Sequence, residues 1–262
     1  MPPQKPQRKF STRLLRTGTL IEETYAIFQH WDTARTIRQN LNQVLETNPI
    51  GAGSSRWLRE VTTTIASRFT DPKHIQPLVA LVRGRVGMDI WKPCLLYHIG
   101  STDELYFRFA TEWLFEAYAA GTYVVLAPDV EPFVHKITDG KLVRGRSLSP
   151  DGTRRHANDL IRMASDFGLL KGNVRRTFNT PFHLPEECFL YVLHALVYHY
   201  KNAHEAIHAP EWRLFLKEPA DVERELLHLH QYHKLHYQAA GSLVQLDLPH
   251  ASLLAYAETL AA

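Results

Sequence analysis

The sequence predicts a mainly α-helical protein. A helical N-terminal domain with a helix-turn-helix is followed by a C-terminal winged-helix-like domain with one small β-hairpin. Three features lead there. Apolar residues recur at helical spacing through most of the 262 residues, as amphipathic helices require. Around residue 50 a helix, a short glycine-bearing turn and a second helix with basic residues at its start follow one another, the outline of a helix-turn-helix. Near the end, a helix precedes two short alternating runs joined by Gly241, the outline of a helix and wing.

Residues 1–12 are polar, basic and proline-rich, and read as a disordered arm before a helical domain at 13–140. Order is expected from about Thr19, which stands three residues before Glu22 as in a capping box. Leu20, Ile21, Thr24, Ile27, Phe28 and Trp31 then follow helical spacing. Asp32 is placed to cap a second helix with Ile37, Leu41, Val44 and Leu45 on its apolar face, stopped by Asn48-Pro49. After Ile50-Gly51-Ala52-Gly53, either Ser54 or Ser55 can cap a third helix running to about Arg68. On that helix Leu58, Val61 and Ile65 fall within about 60° of one another, and Arg56, Arg59 and Thr63 lie opposite. Both arginines sit in the first turns, where they oppose the helix dipole and where free N–H groups also attract anions. The plain alternative is an amphipathic surface helix.

Residues 75–134 are helical and aromatic-rich, with Trp91, Tyr97, Tyr106, Phe107, Phe109, Trp113, Phe115 and Tyr118 as core. Ser101 or Thr102 is expected to start a helix with Asp103 and Glu104 in its first turn. Pro128 and Pro132 break the pattern. Glycine-rich, basic Asp139 to Gly152 is the candidate boundary of a second domain at 141–262. There, Leu160, Ile161, Ala164 and Phe167 form a helical face ended by Gly168. Asn173 to Thr180 reads as a short strand or wing carrying Arg175 and Arg176. Residues 186–208 are apolar nearly all round and should form a central buried helix. Val222, Leu226 and Leu229 mark another helix. Alternating Val244, Leu246 and Leu248 mark the hairpin, and Ser252 can cap a last helix through Leu260.

Apolar residues make up 45% of the chain and charged residues 22%, so bulk disorder is excluded. The apolar stretch Phe189 to Tyr200 is interrupted by His194 and His199 and is too short to span a membrane, which takes about 20 residues. The start, MPPQKPQRKF, has no apolar run, so no signal peptide is expected. Cys94 and Cys188 do not make a disulfide framework, and a reducing cytoplasm follows as the expected compartment. The net charge of +3 is modest but segregated. Residues 1–100 hold 14 Lys and Arg against 7 Asp and Glu, and residues 141–180 hold 9 against 3. Residues 101–140 hold 2 against 7, and residues 181–262 hold 5 against 10. Fields are felt locally, within about 10 Å at ordinary salt, so the two basic blocks point to a polyanion, nucleic acid first. Chance clustering on solvated faces is the other explanation.

His204-Glu205-Ala206-Ile207-His208 matches the HExxH pattern, in which two histidines hold zinc and the glutamate serves as base. A chain with 15 histidines produces that pattern by accident about once in twenty such chains. Pro210 follows closely, and Glu211, Glu225 and His228 are merely available as third ligands. The run His228, His230, His233, His236 reads as solvated or partly buried histidine. Asp166-Phe167-Gly168 copies a kinase triplet without its companion motifs. No P-loop, GxSxG or paired-cysteine zinc spacing occurs, so neither catalytic residues, metal nor cofactor are expected, and the cysteines read as small core residues.

The segments RTGTLIEETYAIF, GSSRWLREVTTTIASRF and DELYFRFATEWLFEAY, in that order, resemble the BrxA family, the DNA-binding component of BREX bacteriophage-exclusion systems. EWRLF and YQAAGSLVQLDL fit as well. The resemblance implies a mainly helical protein with helix-turn-helix or winged-helix elements and no catalysis of its own. It also implies double-stranded DNA and other BREX components as partners. On that basis Ser54, Ser55, Arg56 and Arg59 would border a groove, and Arg35 and Arg38 would contact phosphates. Arg144, Arg146, Arg154, Arg155, Arg175 and Arg176 would form a second backbone-contacting patch, since the guanidinium fork binds two phosphate oxygens. A protein-interaction scaffold using the acidic regions is the alternative, and a zinc hydrolase at HEAIH a distant third.

Overall fold

The structure, a computed structural model, describes residues 8–139, 147–241 and 243–261. It is mainly helical, with two small antiparallel two-stranded ladders. Order begins earlier than Thr19. A short helix α1 (Arg13–Thr17) buries Leu14 and Leu15. Gly18 follows at φ +77, a left-handed conformation that glycine adopts without strain. Thr19 is not the cap of the next helix. Leu20 takes the N-cap position of α2 (Ile21–Gln29) without a side-chain hydrogen bond, and Thr19 Oγ1 instead donates to Asp166 Oδ2 at 3.0 Å.

The cap of α3 (Ile37–Thr47) is Thr36 rather than Asp32, in a capping box with Gln39. Asp32 Oδ1 accepts from the Ala34 N–H two residues on, a local turn that competes with capping. Buried Asn40 fixes this entry, donating to the carbonyls of Asp32 and Thr36 and accepting from Asp32 N. Asn48, left-handed, ends α3. Ser54 Oγ accepts from Trp57 N at 3.2 Å and caps α4 (Ser55–Arg68), which buries Leu58, Val61 and Ile65 against the core as its periodicity requires.

The aromatic-rich stretch forms α5 (Pro72–Arg83), α6 (Met88–Thr102) and α7 (Glu104–Arg108). From α7 a π-helical turn, Phe109–Leu114, leads into α8 (Phe115–Ala119). Ser101 and Thr102 close α6 instead of opening a helix, because Asp103 is the cap, accepting from Tyr106 N at 2.8 Å. Prolines at 128 and 132 do not break the next helix, α9 (Ala127–Thr138). Pro128 lies in its first turn, where a missing N–H costs nothing, and Pro132 is exposed.

Ser149 caps α10 (Pro150–Asp166). β1 (Leu170–Lys171) then pairs with β2 (Thr177–Phe178), so only the end of the expected strand at 173–180 is extended ladder. The central buried helix is real but shorter than expected. α11 (Glu186–Tyr200) stops at Lys201, which is left-handed, and a separate short helix α12 (Ala203–Ile207) carries HEAIH. A 3₁₀ turn, Pro210–Phe215, leads to α13 (Pro219–Gln231). The hairpin, β3 (His236–Ala240) with β4 (Leu243–Asp247), and α14 (Leu253–Thr259), capped by Ser252, fall where the alternation puts them.

One apolar core runs through both halves. Trp91 and Tyr106 from the first and Tyr191 and Trp212 from the second are fully buried, α6 packs on α11, and α9 packs on α10 across the expected boundary. The segment expected as a disordered arm is anchored from Arg8 onward, and residues 1–7 lie outside the described residues. Arg8 Nε donates to Gly100 O at 2.9 Å and Nη2 to Glu211 Oε1 at 2.6 Å, with the guanidinium 3.4 Å over the Phe107 ring centroid. Tyr200 OH donates to the other Glu211 oxygen at 3.0 Å. Glu211 is 1% exposed, so its carboxylate is compensated entirely by these partners.

Arg8→Met should therefore cost about 3–5 kcal/mol, the penalty for leaving a buried charge unpaired. Adding Glu211→Gln should recover much of it, as read by chemical denaturation. Burial pushes the Asp103 carboxyl up to about 7, against the opposing hydrogen bond from Tyr106 and the charge of Arg68. The folded chain then holds a proton that the unfolded chain has lost, so wild-type stability falls as pH rises from about 4 to about 7. Asp103→Asn keeps the cap and lacks this slope. It should gain about 3 kcal/mol on wild type between those limits; parallel denaturation curves at both pH values would contradict this.

Candidate nucleic-acid interface

The exposed side of α4 carries Ser55, Arg56, Arg59, Thr63 and Ser67, one stripe at helical spacing opposite Leu58, Val61 and Ile65. Neither Arg56 nor Arg59 has an ion-pair partner among the described residues. Glu60, beside them, is engaged by Arg16 of α1, Nε to Oε1 at 2.6 Å. α1 in turn packs against both α4 and α10. Where α1 ends, Arg162 of α10 passes close to the backbone, its Nη2 lying 3.8 Å from where a Cβ on Gly18 would stand. Arg155, Asn158 and Arg162 form the exposed stripe of α10. The short helix thus lies between the two helices that hold the basic blocks of the sequence, and adds Arg16 at the seam.

The arginines named from sequence divide by their partners. Arg38, Arg56, Arg59, Arg155 and Arg175 are exposed, and none has an ion-pair partner among the described residues. Arg35 is committed locally, to Asp32 at 3.2 Å and to Gln43 Oε1 at 2.7 Å. Arg154 pairs with Glu131 of α9 at 3.3 Å, away from its neighbour Arg155. Arg176 is half-buried, and its carbonyl accepts from Val125 N at 2.8 Å. Arg175 instead stands on the exposed tip between β1 and β2, beside Val174, which is 87% exposed. Arg144 and Arg146 lie outside the described residues. Ser54 is used as a cap, and Ser55 is exposed at the first helical position. Arg16 and Arg162 were not among the residues named from sequence.

The remaining motifs resolve into ordinary structure. Asp166-Phe167-Gly168 is the end of α10, with Gly168 left-handed. Cys94 and Cys188 are buried, with sulfurs 3.9 Å apart between α6 and α11. On α12, exposed His204 and His208 stack with centroids 4.2 Å apart, and the His208 Nδ1 is 2.9 Å from the His204 carbonyl. Among the described residues no group of three His, Cys, Asp or Glu is placed to hold a metal ion. Nor is any of their helices long and apolar enough to cross a membrane.

These features define a mainly helical protein in which a short N-terminal helix packs against two arginine-bearing helices. The chain belongs to the BrxA family, whose model matches residues 8–193. Membership supports a BREX-associated role, and BrxA is not a known enzyme family. The match runs from Arg8 through most of α11 and so takes in α1, α4 and α10. No curated protein and no solved structure matches the chain.

Because Glu205 and His204 are exposed on α12, Glu205→Gln and His204→Ala should each shift stability by no more than about 0.5 kcal/mol. A calorimetric zinc titration should give no stoichiometric heat; one-to-one micromolar binding would make HEAIH a metal site.

Proposed function

We propose that this BrxA-family chain is a non-enzymatic, cytoplasmic double-stranded DNA-binding protein of a BREX system, holding the duplex mainly through phosphate contacts from its arginine-bearing helices. The observation that supports this best is the position of α1 between α4 and α10. It brings two basic segments far apart in sequence to one neighbourhood, where Arg56, Arg59 and Arg155 are exposed and unpaired among the described residues. In this reading α3 and α4 act as a helix-turn-helix. Arg56 and Arg59 enter or border a groove from the start of α4, where free N–H groups also favour phosphate. Arg38 contacts the backbone from α3. The tip carrying Arg175 serves as a wing if it reaches the same duplex. Specificity is expected to be low, because phosphate contacts position a protein without reading sequence.

With about five phosphates neutralised, log affinity against log salt should have a slope of about −4 to −5. Fluorescence anisotropy with a labelled duplex measures it, and a slope near zero would sink the proposal. Arg56→Glu with Arg59→Glu should leave stability within about 0.5 kcal/mol and lower affinity about 100-fold at moderate salt. Arg155→Glu with Arg162→Glu should weaken the same binding, which tests whether both sides of α1 face one DNA. If the first pair is neutral at unchanged melting temperature, α4 is not a DNA-contacting element.

A further inference from the structure

Beside the C-terminal hairpin lies a pocket of about 270 Å³ between α11 and the segment joining β4 to α14. It is smaller than sites for drug-sized ligands, which run from about 300 to 1,000 Å³, and far larger than the roughly 30 Å³ of one water. Val197, Leu246 and Leu248 supply apolar wall, and Tyr198, Asp247 and His250 line it too.

At its base is His194, 3% exposed. Its Nδ1 lies 2.7 Å from the Leu190 carbonyl. A carbonyl only accepts, so Nδ1 carries the ring proton and Nε2 of the neutral ring is an acceptor. Burial first, then the neighbouring His250, holds this imidazole below its ordinary range, although backbone groups of Leu190 and His250 push the other way. Tyr256 stacks on the ring, with centroids 4.6 Å apart and planes 9° from parallel, and fixes its orientation. Nε2 is buried and makes no well-formed hydrogen bond among the described residues, although the His250 backbone carbonyl lies near the ring. A buried polar atom left unsatisfied in a native fold calls for a partner.

The pocket's polar groups specify that partner's chemistry. His194 Nε2 and the Asp247 carboxylate both accept. Asp247 is neutralised by no cation among the described residues, its one side-chain partner being Gln245 Nε2 at 3.0 Å. Ser252 Oγ is engaged in capping α14. Tyr198 is 61% exposed, and the Lys73 ammonium already stands 6.0 Å from its ring centroid, so that ring accepts a cation as neighbour. The segment 181–262, which supplies the pocket's lining, holds 5 Lys and Arg against 10 Asp and Glu. A donor-rich cation is therefore favoured over an anion. An ammonium reaches one acceptor as a point charge, whereas a planar guanidinium presents five N–H groups, spans separated acceptors and stacks on an aromatic face.

We propose that this pocket binds a guanidinium group, donating to His194 Nε2 and Asp247 and stacking on Tyr198, supplied by an arginine side chain of a partner protein or by a small guanidinium compound. The proposal is independent of DNA binding, since it uses none of the arginine-bearing faces.

The test titrates N-acetyl-arginine amide into the full chain and follows the His194 ring nitrogens by long-range proton–nitrogen correlation. A saturable shift of Nε2 at millimolar probe is expected. N-acetyl-lysine amide should bind about tenfold more weakly, and so should the arginine probe to Asp247→Asn, a surface change whose melting temperature should match wild type. His194→Gln retains an acceptor and a polar side chain if removal of the ring unfolds the chain. An arginine-centred tripeptide binding more tightly than agmatine points to a protein source, and the reverse order to a small compound. No saturable Nε2 shift, or equal binding of the neutral citrulline analogue, overturns the proposal.

Discussion

From inside the core, the guanidinium of Arg68 donates to the carbonyls of Gly18 and Thr19, the latter at 2.7 Å, and the arrangement of the N-terminal half follows from that contact. Arg68 is 6% exposed, and burial lowers its pKa to about 10, so it is still charged at neutral pH. A buried cation of this kind needs acceptors, and the bend between α1 and α2 supplies them. The same bend is held on its other side by Asp166 of α10, through Thr19, and just beyond it Trp91 of α6 donates to the Ile21 carbonyl at 3.0 Å. Three elements thus converge on residues 18–21. The backbone there accommodates them with left-handed torsions at Gly18 and Leu20. α1 could not hold its place otherwise, because five residues are far too few for a helix stable by itself.

Much of this fold was legible where local chemistry and long-range packing agree. α4 begins at Ser54 and buries the face its spacing defines, and the hairpin and α14 lie where alternation and Ser252 put them. Elsewhere a local pattern was outweighed. Thr19 and Glu22 have capping-box spacing, yet the Thr19 hydroxyl goes to Asp166, a partner 147 residues away. Lys201 ends α11 in a left-handed turn, and neither glycine nor proline marks the spot. The apolar pattern runs on through Ala203, Ala206 and Ile207, so two helices read as one. α1 was hidden for a different reason, since Leu14 and Leu15 sit in a basic, polar stretch that has the composition of an arm.

The candidate interface was legible in kind and only partly in detail. Clusters of arginine are visible in any sequence, but their partners are not. Arg154 and Arg155 are exposed neighbours with different partners, one tied to Glu131 and the other without an ion-pair partner among the described residues, because consecutive helical residues point about 100° apart. Arg175 and Arg176 differ in the same way across a tight hairpin tip. Arg16 and Arg162 become relevant only once α1 is known to separate α4 from α10. Their spacing carried a faint signal, since Arg13 and Arg16 flank Leu14-Leu15 as the polar edges of an amphipathic turn.

Gathering arginines around α1 also has a cost to the uncomplexed protein. Like charges held within one Debye length repel, and the apolar core beneath them must outweigh that self-repulsion. Glu60 relieves some of it by pairing with Arg16, and Asp159 by pairing with Arg162. What remains is relieved by counterions. Added salt therefore screens that repulsion and makes the fold more durable, whereas on the proposed DNA complex it would act in the opposite sense.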